Sequence, residues 1–323
     1  MANYDIFNGD ADGICALIQR RLADPKPDAT LITGVKRDIA LLKKIAAKTT
    51  RGDQITVLDI AVEKNLAPLE QALANGATVW YADHHRPGPL PDHSGLTAHI
   101  DTAATTCTSL IVDQTLQGRY RPWAVVAAFG DGLLDSAMEA AKPLQLTPLQ
   151  RQQLRQLGEL LNYNGYGAEL DDLHCHPAAL YQQLVQFEHP LDFLAANSDT
   201  WQRLQQGYEA DMAATAALSA THCDAATALY ILPDEPWARR VSGVFANQLM
   251  QHHPDRAHAI LTDRGDHYVV SVRAPYRQRE GAVDLCRQFE TGGGRAGAAG
   301  INHLPQSELQ RFTTLFQRQY PLS

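Results

Sequence analysis

Cysteine is scarce in this chain and scattered. Cys15, Cys107, Cys175, Cys223 and Cys286 include no CxxC pair, and their number is odd. That spacing argues against a disulfide framework and fits reduced thiols in a cytoplasmic protein. Long apolar runs are missing too. The longest, around Trp123 to Phe129, falls far short of the roughly 18 residues that span a bilayer, so no membrane partner is expected. The start, Met-Ala-Asn-Tyr-Asp-Ile-Phe, has neither a basic n-region nor an apolar h-region, so no secretory signal is expected. Positive charge is the third shortage, with a formal net charge of −8. A protein that coats long nucleic acid needs clustered Lys and Arg, so that class is set aside. No lysine follows residue 142, and every Lys or Arg position after Pro233 is arginine. That half could still hold a small phosphate ligand through forked, bidentate contacts. Internal repeats and low-complexity tracts are absent.

What is present is enough chain, 323 residues, for two domains with separate cores. Tyr4 to Phe7, Ala29 to Thr33, Gln54 to Asp59, Ala77 to Ala82 and Thr97 to Ile100 read as strands. Gly13 to Leu22, Arg37 to Lys48 and Val62 to Asn75 read as the helices between them, the last closed by Gly76. Alternation at this spacing predicts an α/β fold with a doubly wound parallel sheet. Helical patterns then dominate from about Thr106 to His222, broken by a Gly-, Asn- and Asp-rich stretch from Tyr163 to His176 that reads as a long loop. Further on, strands at Ala226 to Leu232, His258 to Thr262 and Tyr268 to Val272, with helices at Val241 to His252, Ala282 to Gln288 and Gln306 to Gln319, predict a second, smaller α/β domain. The expected organisation is a first domain over 1–195, a helical connector over 196–224 and a second domain over 225–323.

Four segments rich in Asp and His each read as the end of a strand. They are Asn8-Gly9-Asp10-Ala11-Asp12-Gly13, then Asp59, then Asp83-His84-His85, and last Gly130-Asp131-Gly132 after the apolar stretch from Val125. Ligands of open α/β sheets bind at the carboxyl ends of the strands, so these groups should converge. A carboxylate at such a place is usually a helix cap or a turn residue, and a His-His doublet such as His252-His253 is usually surface. Four such segments in order are hard to explain that way. Clustered carboxylates repel unless cations lie between them, and Asp with imidazole suits Mn²⁺ or Mg²⁺. Two ions would relieve the repulsion.

On these residues the sequence resembles the DHH phosphoesterases. The DxDG loop with Asp10 and Asp12, then Asp59, Asp83-His84-His85 and Asp131, follow that family's order. Residues Gly292-Gly293-Gly294-Arg295-Ala296-Gly297-Ala298-Ala299-Gly300 resemble the GGGHxxAAG signature of the DHH-associated domain, preceded by Ser271-Val272-Arg273. The resemblance implies two Mn²⁺ ions, or Mg²⁺, with Asp10 and Asp59 on one and Asp12, Asp59, His84 and Asp131 on the other. It casts His85 as the group facing the substrate phosphate and Asp83 as the residue orienting the histidines. Gly292, Gly293, Gly294, Arg295, Arg273 and Ser271 would bind substrate.

Two departures stand out. Many members carry a histidine just upstream of the first Asp pair, where this chain has Ile6 and Asn8, which makes Asn8 a candidate ligand. Arg295 replaces the histidine of the glycine-rich signature; it can clamp phosphate but does not titrate near neutral pH.

The resemblance implies a short nucleotide substrate: linear dinucleotides such as pGpG and very short oligoribonucleotides, cut to mononucleotides. Removal of the 3′-phosphate from pAp and opening of cyclic dinucleotides are the alternatives within the class, and a non-catalytic nucleotide sensor is the alternative outside it. A homodimer is compatible with the sequence. His174-Cys175-His176 lacks a second ligand group with zinc spacing and reads as a structural loop. Asp171-Asp172 reads as a solvated turn, Asp135 as a helix cap, and Tyr276, Arg277 and Arg279 as candidates for lining a substrate cleft.

Overall fold

A computed structural model describes residues 1–321. The chain divides into two compact units, the first Met1–Tyr208, the second beginning at Glu209.

The first unit is built on five parallel strands, β1 (Asn3–Phe7), β2 (Thr30–Ile32), β3 (Gln54–Leu58), β4 (Thr78–Asp83) and β5 (Leu96–Ile100), in the order β2-β1-β3-β4-β5. Around them lie α1 (Ala11–Ala23), α2 (Val62–Ala74), α3 (Thr108–Thr115), α4 (Arg121–Gly130), α5 (Leu134–Ala141), α6 (Pro148–Asn164), α7 (Pro177–Leu184), α8 (Pro190–Ala195) and α9 (Asp199–Thr215), the last crossing the division between units. Successive side chains of a strand point to opposite faces, and both faces are covered. Phe7, Leu58 and Ala82 pack with Ile14, Ile111, Trp123 and Leu157 on one side; Ile6, Val57 and Tyr81 pack with Leu42 and Leu69 on the other. Arg21 reaches across from α1 to Asp5 on β1, Nε to Oδ2 at 2.9 Å, and donates to Thr56 Oγ1 at 2.7 Å, so this buried charge pair is satisfied on both sides.

The expected helix over 37–48 does not form. Two 3₁₀ turns, Leu42–Lys44 and Ala46–Lys48, take its place. The reason is tertiary. Asn65 on α2 accepts from Leu42 N at 3.1 Å and donates to Ile39 O at 2.6 Å, supplying the hydrogen bonds a helix would have made internally. The loop expected from Tyr163 starts a little later, because α6 continues to Asn164.

The second unit carries a mixed sheet of β6 (His222–Cys223), β7 (Thr227–Leu232), β8 (Ala257–Asp263), β9 (His267–Arg273), β10 (Gly292–Arg295) and β11 (Ala298–Pro305), ordered β10-β11-β9-β8-β7-β6. Only β7 and β8 pair in parallel; the other neighbours are antiparallel. Helices α10 (Pro236–His252), α11 (Ala282–Cys286) and α12 (Leu309–Gln319) accompany it, with Leu261, Val270, Ile301, Phe312 and Phe316 in the core. This unit takes in chain expected as connector: Asp211 is held by Arg240 of α10 at 2.6 Å, and β6 closes one edge of the sheet. The glycine-rich segment is an antiparallel hairpin of β10 and β11. No helix of the described residues is long and apolar enough to cross a membrane.

His258 on β8 is fully buried, and burial, reinforced by Arg256 and His253, lowers its pKa from 6.5 to about 4. Below pH 6.5 the unfolded chain takes up a proton that the folded chain refuses until about pH 4. The second unit should therefore lose stability as the pH falls through that window, by up to about 3 kcal/mol. Hydrogen exchange of the β8 amides at pH 6.5 and pH 4.5 reads this directly, and in His258→Leu the pH dependence over that interval should flatten.

Candidate metal centre

The sheet order sets up the site. In the order 2-1-3-4-5 the chain leaves β1 in one direction and β3 in the other, opening a crevice at the carboxyl ends of those strands. The register places Phe7 beside Leu58 and Leu58 beside Ala82. The residues that follow, Asn8, Asp59 and Asp83, thus leave the sheet at one level, with Asp59 in the middle.

After β1 the chain turns at once into α1, and Asp10 is the N-cap. Its Oδ1 accepts from Asp12 N at 3.1 Å and Gly13 N at 3.2 Å. Gly13 is required there, since a Cβ would lie 2.3 Å from Asn8 O. Asp12 is fixed by the start of α3: Oδ2 accepts from Thr108 N and Oδ1 from Ser109 N, each at 2.7 Å. Asp59 adopts a left-handed backbone, φ 58°, which Asp tolerates better than most residues, and accepts from Thr108 Oγ1 at 3.0 Å. Asp83 accepts from His85 Nδ1 at 2.7 Å. Asp131 follows a helix, not a strand as its sequence context suggested, and caps the C-terminus of α4.

These groups come together. Asp12, His84 and Asp131 offer ligand atoms all within 4.8 Å of one another, and so do Asp59, His84 and His85. His84 Nε2 lies 3.5 Å from Asp59 Oδ1 and 3.9 Å from Asp131 Oδ2. Asp10, Asp12, Asp59 and Asp83 are each at most 2% exposed. Burial pushes the Asp59 carboxyl well above the usual range, and the charges of Asp12, Asp10, Asp131 and Asp83 push it further. Burial also raises Asp131, with Asp12 adding to it. Carboxylates so placed resist ionising together unless a cation joins them. Two buried oxygens, Asn8 Oδ1 and Asp83 Oδ2, have no hydrogen-bond partner. Carboxylate oxygens with one imidazole are the donor set that hard divalent cations such as Mn²⁺ and Mg²⁺ take, so these residues fit such an ion. The hydrogen bond that His85 donates to Asp83 raises the His85 pKa, against the opposing effect of burial.

The sequence did not point to Lys36. Its Nζ lies 2.6 Å from Asp10 Oδ2, 2.7 Å from Asn162 Oδ1 and 3.4 Å from Asp131 Oδ1, with the Tyr166 ring 5.8 Å away. Burial lowers its pKa, but Asp10, Tyr166 and Asp131 more than reverse that and hold it well above the ordinary value. Burial likewise pushes Asp10 up, yet the lysine and the Gly13 N–H outweigh it and keep this carboxyl below the usual range. The available signal was position: Lys36 follows β2, whose end lies on the same sheet edge.

In the second unit, Arg295 is exposed on the hairpin, and Arg273 on β9 donates to Asn247 Oδ1 at 2.8 Å and Ser271 Oγ at 3.0 Å. Gly292 and Gly294 have packing reasons to be glycine: a Cβ would sit 1.7 Å from Cys286 O in one case and 2.5 Å from Ala299 Cα in the other. Gly293 faces open space. Arg277 pairs with Asp255, and Arg279 stacks on the exposed Tyr276. The weaker sequence candidates resolve into structure. Asn164 holds the Cys175 backbone from both sides, His176 caps α7, and Asp172 accepts from Ala168 N. Asp171 is exposed, and Asp135 lies exposed in the first turn of α5 without capping it. Asp266, His267 and His303 also bring ligand atoms within 4.8 Å, but at the surface, where an ion pair at 2.6 Å and a stacked histidine pair account for the grouping.

The chain has the fold of solved DHH-domain and RecJ structures. The particular likenesses are to solved structures. The manganese-bound exonuclease RecJ aligns at 14% identity over 98% of this chain and 89% of its own, with a TM-score of 0.64. RecJ from Thermus thermophilus with Mn²⁺ aligns at 15% identity and TM-score 0.68 over 99% of this chain and 52% of that one. The pGpG-specific phosphodiesterase PggH from Vibrio cholerae aligns at 14% identity and TM-score 0.55 over 99% of both chains. No protein-family profile matches the sequence, and no curated protein sequence does.

Proposed function

We propose that the chain is a divalent-cation-dependent phosphodiesterase that cuts linear dinucleotides such as pGpG, and very short oligoribonucleotides, to mononucleotides. The observation that carries this reading is the convergence of buried Asp12 and Asp59 with half-buried Asp131 and His84 at the carboxyl edge of a parallel sheet. Those four side chains would hold the cation, which would offset phosphate charge and activate water. His85 has its Nδ1 fixed by Asp83, which leaves Nε2 to meet the phosphate and to donate a proton to the departing oxygen. Asp83 orients His85 rather than reacting. Arg295, Arg273, Ser271 and the glycines 292–294 form the phosphate-binding element. A net charge of −8 disfavours long polymers, and the full-length likeness to a pGpG-specific enzyme favours a two-nucleotide substrate. With its five cysteines all free, the chain suits the cytoplasm.

The test is a length series. With Mn²⁺, turnover should be fastest on 5′-phosphorylated dinucleotides and fade over longer RNAs. Arg295→Ala should raise KM about ten- to hundredfold on the dinucleotide, as loss of a charge-assisted contact worth about 1.5–3 kcal/mol implies. Activity confined to pAp or to cyclic dinucleotides would move the chain to those alternatives, and silence on every substrate would favour the sensor.

A further inference from the structure

Asp10 has a single lone pair left to offer an ion, on Oδ2, and that oxygen already lies against a cation. Its Oδ1 accepts two backbone N–H groups, from Asp12 and Gly13, which fill both lone pairs. Its Oδ2 lies 2.6 Å from the Lys36 ammonium. Asp12 differs: each of its oxygens accepts one N–H, leaving a lone pair on both. The groups that gather as ligand sets accordingly include Asp12, Asp59, His84, His85 and Asp131, and Asp10 is in none of them among the described residues.

Lys36 is no loose surface side chain. Its backbone N donates to Gly165 O at 2.9 Å, and its carbonyl accepts from Asn8 Nδ2 at 3.2 Å. Its three ammonium protons have three oxygen partners: Asp10 Oδ2, Asn162 Oδ1 at 2.7 Å, and Asp131 Oδ1 at 3.4 Å. Asn162 is itself placed by α6 and donates to Tyr166 Oη at 3.3 Å. A dication seated on Asp10 would face this ammonium directly and would be left with the neutral Asn8 amide and a shared Asp59.

We propose that Lys36 is a resident cation that takes the place of one metal ion, so that this centre binds a single divalent cation through Asp12, Asp59, His84 and Asp131. The inference rests on the metal-dependent reading above and gives Asn162 and Tyr166, in the helical region of the first unit, the task of holding the lysine.

Stoichiometry tests it without any substrate. The metal-stripped full chain is titrated with Mn²⁺ by equilibrium dialysis and followed by electron paramagnetic resonance. Wild type should bind one ion per chain, with the six-line signal of an isolated Mn²⁺. Lys36→Met, which keeps the stem and removes the charge, should admit a second ion and show a spin-coupled pair; Lys36→Gln serves if the Met variant does not fold. Two coupled ions in wild type, or one ion in both wild type and the charge-free variants, overturns the proposal. No binding by wild type would bring down the metal-centre reading itself, and this one with it.

Discussion

Asp59→Asn should cost turnover about a thousandfold or more while leaving the fold intact, since losing several kcal/mol of charge stabilisation in the transition state is worth that much. Asparagine is the informative replacement. It tolerates the left-handed backbone at φ 58° and can still accept from Thr108 Oγ1, so neither strain nor a lost hydrogen bond confuses the result. What disappears is one charge in the middle of the cluster. In the metal-free protein that charge is unfavourable, because burial and the neighbouring carboxylates push the Asp59 pKa well up. Asp59→Asn should therefore melt at a higher temperature than wild type without metal, yet lose the rise in melting temperature that Mn²⁺ gives wild type. That rise corresponds to about 2.7 kcal/mol at a hundred times the dissociation constant. Turnover and the Mn²⁺-dependent shift should fall together; a variant that keeps both would remove Asp59 from the centre.

The second large effect is expected from a residue that touches none of the site. Helices α4 and α6 approach backbone to backbone, and a Cβ on Gly158 would stand 2.1 Å from Val126 O and 2.9 Å from Gly130 N. Asp131 follows Gly130 directly, and Asn162 lies one turn beyond Gly158. Gly158→Ala should wedge the helices apart, move Asp131 away from Asp12 and His84, and loosen the Asn162 hold on Lys36. Alanine favours a helix by about 1 kcal/mol over glycine, so propensity alone predicts stabilisation. Overpacking at a backbone contact costs about 1–3 kcal/mol and should win. Gly158→Ala is thus expected to lower the urea midpoint and to cut turnover at least tenfold. Gly243→Ala in α10, where a Cβ meets nothing within 4 Å, should leave turnover unchanged and keep or raise the midpoint.

How much of this could be read beforehand follows from the range of each interaction. The strands of the first sheet showed as short β-branched runs, and Asp10, Asp12, Asp59 and the Asp83-His84-His85 run stood at their ends, because strand length and strand-end chemistry are local properties. The segment 37–48 misled because its helical pattern is local while the hydrogen bonds from Asn65 that decide its form come from α2. Asp131 was found, but on the wrong kind of element, since a short apolar run such as Val125 to Phe129 suits a strand or a buried helix equally. The hairpin hid in the glycines 292–294, whose sequence says only that side chains are absent. Lys36 gave only its position after β2, because its partners Asp10, Asn162 and Asp131 are distant in sequence and nothing local ties them to it.

The central claim, that the carboxylate and histidine cluster is a cation-dependent hydrolytic centre, is most directly tested by following pGpG through a single experiment. The full chain is stripped with chelator, incubated with pGpG, and then given Mn²⁺ in excess of the chelator. The account predicts no cleavage before the addition and release of GMP after it, in wild type and not in Asp59→Asn. Cleavage by the stripped protein, or cleavage that Asp59→Asn retains in full, would contradict it.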